Sequence, residues 1–78
     1  TPSARNNLLQ KRSLTIAGHP TSMALEPQFW NALDRMAAER DTSVARIIAE
    51  IDEARDNANL SSAVRVTVLD WYMAKSET

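Results

Sequence analysis

Few side chains in this 78-residue chain could do chemistry: one histidine (His19), a run of carboxylates (Glu50, Asp52, Glu53), three aromatics (Trp30, Trp71, Tyr72) and an early group of cations and hydroxyls. That early group is Arg5, Lys11, Arg12, Ser13 and Thr15. His19 lies between Gly18 and Pro20, with no cysteine in the chain and no serine placed as a nucleophile, so it reads as a turn residue rather than a general base. On a helix, Glu50 and Glu53 share a face while Asp52 points away from both, which is the spacing of a solvated acidic face and not of a cation site. The three aromatics could stack on unpaired bases, but each falls on an apolar helical stripe and reads as core or interface. The expected chemistry is therefore recognition: no enzyme activity, no cofactor and no metal.

Charge gives the recognition a direction. The formal net charge is −1, from nine basic and ten acidic residues. Residues 1–25 hold three of the bases and none of the acids, so residues 26–78 hold six bases against ten acids, a balance of −4. A phosphate backbone responds to local field rather than to net charge, so the basic segment can contact DNA; a solubilising tail is the plainer alternative. Residues 1–10 are polar and read as a flexible arm, with one domain over residues 11–78.

The elements that must position these residues begin with strands. Pro20 to Glu26 alternates in polarity, with Thr21, Met23 and Leu25 on one side and Ser22 and Ala24 on the other. A lone strand of this length needs a partner, and the first expectation is the same strand of a second copy, giving a two-stranded ribbon of the kind that enters the DNA major groove. Residues 12–16 form a second alternating strand with Leu14 and Ile16 on one face. Paired across a dimer instead, this strand would leave readout to Lys11, Ser13 and Thr15. In a third arrangement both strands fold into a hairpin through the turn Ala17-Gly18-His19-Pro20, with Lys11 and Arg12 beside the DNA as phosphate contacts.

Three helices follow. Pro27 suits a first helical position, and Phe29, Trp30, Leu33, Met36 and Ala37 recur at helical spacing over residues 27–40. Thr42 is expected to cap a second helix, whose Val44, Ile47, Ile48 and Ile51 follow the i, i+3, i+4, i+7 pattern. After a turn at Asp56-Asn57-Ala58-Asn59, Ser61 is expected to cap a third helix with Val64, Val68, Trp71 and Tyr72 on one face and Val66 and Leu69 widening it. The fold class expected is mainly α with a short β-ribbon.

Seventy-eight residues without cysteine bury too little surface for comfort, so a homodimer with Met23, Leu25, Phe29, Ile47, Ile48 and Ile51 at its core is expected. Apolar runs are only a few residues long and no leader-like segment is evident, so no membrane partner and a cytoplasmic location are expected.

The order strand, helix, Thr-Ser turn, helix resembles the ribbon-helix-helix family of bacterial regulators, the superfamily of the Met and Arc repressors. The resemblance is carried by Thr21 to Pro27, Phe29-Trp30, Arg40 to Val44 and Ile47-Ile48. Ile16 to His19, Ala49 to Asp52, Asn59 to Ala63 and Arg65 narrow it to a short bacterial variant with an added C-terminal helix, over residues 12–72. It implies an intertwined homodimer, with Pro20, Ser22 and Ala24 facing the bases and Thr42 and Ser43 holding a phosphate at the start of the second helix. Arg40 and Arg46 flank that phosphate site, and Ser61-Ser62 is a weaker site of the same kind. Only Ser22 of the three strand positions can hydrogen-bond a base, so the alternative function is a protein–protein adaptor that keeps the dimer fold without reading DNA.

Overall fold

In the computed structural model, which describes residues 8–56 and 59–76, two strands pair as an antiparallel hairpin ahead of three helices. Arg5 and the rest of residues 1–7 in the expected arm, and Asn57 and Ala58 of the expected turn, lie outside the described residues.

Strands β1 (Gln10–Ile16) and β2 (His19–Leu25) run from the pair Gln10↔Leu25 to the pair Ile16↔His19. Ala17 and Gly18 alone make the turn, with φ of 53° and 83°, the double left-handed geometry of a type I′ turn. The four-residue turn expected from the sequence is thus too long: His19 and Pro20 are already in β2. Residues flanking such a turn exchange both backbone hydrogen bonds, and the alternation of the ladder then puts the missing N–H of Pro20 on the outer edge, where none is needed. The in-chain hairpin also corrects the first expectation, since β2 is partnered by β1 and not by its copy in a second chain.

Helix α1 (Pro27–Arg40) starts with Pro at its first turn and buries Trp30, Ala32, Leu33, Met36 and Ala37. It stops because Asp41 is left-handed (φ 55°), with the Asp41 and Thr42 N–H groups donating to the Ala38 and Ala37 carbonyls. Helix α2 (Val44–Ala54) is capped by Ser43, whose Oγ accepts from the Arg46 N–H at 3.1 Å, and not by Thr42; the Thr42 N–H is used in ending α1. Helix α3 (Leu60–Ser76) is capped by Asn59 rather than Ser61, with Asn59 Oδ1 accepting from the Ser62 N–H at 2.8 Å. An amide oxygen one residue before the helix reaches the free donors of the first turn, whereas Ser61 is already inside it.

The core joins all five elements: Ile16, Met23 and Leu25 from the hairpin, Trp30, Leu33 and Met36 from α1, Ile47 and Ile48 from α2, Val64 and Val68 from α3. Met23, Leu25, Ile47 and Ile48 are buried within a single chain, and Phe29 and Ile51 pack half-buried against the same cluster. These six residues are more apolar surface than strand, α1 and α2 can close over, but α3 completes the enclosure. They are therefore a subunit core, and the expectation that a second chain is needed to cover them is overturned. Val66 and Leu69 depart from expectation too, since they stand exposed on the far side of α3 from Val64 and Val68. No helix among the described residues is long and apolar enough to cross a membrane.

Candidate nucleic-acid interface

The pleat of the hairpin sorts its residues into two faces. Arg12, Leu14, Ile16, Met23 and Leu25 face the helices, and Lys11, Ser13, Thr15, Pro20, Ser22 and Ala24 face away. All six outward residues are exposed except Ala24, which is half-buried. Two rival readings of the sequence thereby merge. The Lys11, Ser13, Thr15 set and the Pro20, Ser22, Ala24 set lie side by side, with Lys11 opposite Ala24, Ser13 opposite Ser22 and Thr15 opposite Pro20. The second set alone offers one hydroxyl. Together the strands offer an ammonium and three hydroxyls on a ribbon two strands wide, with no acidic residue in either strand.

Arg12 is the candidate that the fold takes away from this face. Its guanidinium makes a fork on Asp34, with Nη1 to Oδ1 at 3.1 Å and Nη2 to Oδ2 at 3.2 Å, and lies 4.6 Å from the Trp30 ring centroid. The Trp30 Nε1–H donates to the Gln10 carbonyl at 2.7 Å. Arg12, Trp30 and Asp34 thus tie β1 to α1 and fix how the ribbon is presented. No local pattern signals this pairing, because Asp34 becomes a neighbour only through the hairpin.

At the other end of β2, Glu26 leads into α1 and accepts from Nε and Nη2 of Arg65 at 3.0 and 2.9 Å. Its carboxyl is held below the usual range, first by its own backbone N–H and then by Arg65. This pair clamps α3 to the strand–helix junction, with Arg65 also 5.7 Å from the Phe29 ring centroid.

Thr42 and Ser43 stand where expected, before α2, on an element separate from the ribbon. The Arg46 N–H is committed to Ser43 Oγ, while the Val44 and Ala45 N–H groups have no acceptor within the helix. Of the flanking arginines, Arg40 is bound to Glu50 at 2.9 Å, whereas Arg46 is 73% exposed and only 3.8 Å from that carboxylate. Glu50 and Asp52 are used in ion pairs with arginines, Asp52 with Arg55 at 2.6 Å. No group of three metal-ligating residues occurs among the described residues.

A two-stranded ribbon with one open polar face, backed by helices, defines a class of DNA-binding regulatory folds. A model of the ribbon-helix-helix domain matches residues 9–72, and the chain belongs to that family. Among solved structures, it is similar to an uncharacterized protein from Bordetella pertussis Tohama I, at 33% identity and a TM-score of 0.80. The similarity covers 95% of this chain and 63% of that one, so the chain spans less than two thirds of the relative's length. Comparison with curated proteins gives no match.

Proposed function

We propose that this chain is a homodimeric transcriptional regulator of the bacterial cytoplasm that lays the outer face of its hairpin in the major groove of duplex DNA. The observation that carries this reading is the merged polar face, because a two-stranded ribbon fits that groove and Lys11, Ser13, Thr15 and Ser22 are donors that can reach base edges. Pro20 and Ala24 add apolar contact of the kind a thymine methyl accepts. The Val44 and Ala45 amides, with Ser43 and Arg46, hold a phosphate and set the register; the arm over residues 1–10 adds Arg5 to the local positive field. Thr42 contributes by directing the chain into α2. Arg12 acts through the fold, holding the ribbon by Asp34 and Trp30.

Titration of a labelled duplex at several salt concentrations tests this. Affinity is expected to fall steeply with salt, and Lys11→Ala to reduce the logarithmic salt slope by about one. No retained duplex at low salt would overturn the reading. The adaptor alternative is favoured by a different observation, the exposed Val66, Leu69 and Met73 on α3, and would be supported if DNA binding failed while a protein partner was lost on changing that helix.

A further inference from the structure

Helix α3 is apolar on two opposite sides. Leu60, Val64, Val68 and Trp71 pack on the core, while Val66, Leu69 and Met73 stand on the far side, 57%, 57% and 53% exposed. With Ser62 and Ser76 the outer residues follow the spacing four, three, four, three, which is a heptad seam two repeats long. A solvated helix face has no reason to repeat apolar residues this way.

We infer that α3 is the dimerisation element, pairing in parallel with α3 of a second copy along Ser62, Val66, Leu69, Met73 and Ser76. In heptad terms Val66 and Met73 take the a positions and Leu69 the central d position, and a β-branched residue at a with Leu at d favours two strands over three or four. The flanks specify direction. Arg65 precedes Val66 at a g position and Asp70 follows Leu69 at an e position five residues on, so in a parallel pair each Arg65 meets the partner's Asp70. The Arg65–Glu26 pair uses Nε and Nη2, leaving Nη1 outside it. One cation and one anion beside the seam give no net charge to draw a membrane or a nucleic acid, but they complement a second copy. Val66 also forms the ridge between two apolar grooves of about 490 and 290 Å³, one floored by Ile47 and Ile51 and the other by Phe29 and Val68, which extends the contact beyond the helix itself.

This interface rests on the homodimer reading but replaces the strand-to-strand contact that the hairpin has already used. Sedimentation equilibrium of the full chain across the micromolar range is expected to give a dimer. Leu69→Glu is expected to raise its dissociation constant about 100-fold or more while circular dichroism shows the same helix content. The chain has no cysteine, so Met73→Cys on oxidation should link two copies through equivalent parallel positions, far faster than Glu53→Cys on the outer side of α2. A dimer indifferent to Leu69→Glu, or Met73→Cys linking no faster than Glu53→Cys, overturns the α3 seam and leaves the homodimer standing. A wild-type monomer overturns both, with no DNA measurement involved.

Discussion

Helices α2 and α3 pack side by side on one core, yet they finish differently. The core-facing side of α2 carries Ile47 and Ile48, with Ile51 half-buried beside them, and its outer side carries Arg46, Glu50 and Glu53. The core-facing side of α3 carries Val64 and Val68, and its outer side carries Val66, Leu69 and Met73. Water completes α2 and does not complete α3. The amphipathic helix is a part of the subunit; the two-sided helix is where the subunit expects something more.

The contrast is sharpest under charge substitution. Ile48→Asp places an uncompensated carboxylate in the core and is expected to unfold the chain, whereas Leu69→Glu leaves it folded; far-ultraviolet circular dichroism separates them, and even Ile48→Ala should cost about 2–5 kcal/mol. Within α3 alone, Val64→Ala should cost about 2 kcal/mol and Val66→Ala less than about 0.5 kcal/mol when both are measured by urea unfolding in the monomeric Leu69→Glu background. Equal costs would mean that α3 has one environment and not two.

The ribbon admits a smaller, stabilising change. Ala17 holds φ 53° in the turn, a strain of about 1 kcal/mol for a residue with a Cβ, and Ala17→Asn should recover much of it as a higher unfolding temperature. The smallest effect is electrostatic. Glu26 is held below its ordinary pKa, so its contribution is present above the unfolded value and is lost as pH falls through the lower folded one. Glu26→Gln should flatten that acid limb of the stability–pH curve.

Much of this fold is legible from residue types. The period of α1, its Pro27 start and its five apolar positions follow from helical spacing alone, as do the inward faces of both strands. The pairing of the strands is legible only as one of three options, because nothing local distinguishes a hairpin partner from a copy; the positive φ of both Ala17 and Gly18 settles it in the fold. The caps fall one residue from Thr42 and two from Ser61, since Ser, Thr and Asn compete at such junctions and the carbonyls already claimed by the end of α1 decide. Arg12 reads as a phosphate contact because Asp34 and Trp30 are distant in sequence. The outer apolar residues of α3 read as a widened core face, because periodicity counts apolar positions without saying which of two faces is covered.

In the proposed function, duplex DNA meets the ribbon and not α3. The most direct test follows backbone amide resonances of the full chain as duplex is added at low salt. Shifts are expected at Lys11, Ser13, Thr15, Ser22 and Ala24, with a second group at Val44 and Ala45, while Val66, Leu69 and Met73 stay unchanged. Shifts confined to α3, or none anywhere at low salt, would contradict this assignment of the DNA-binding face.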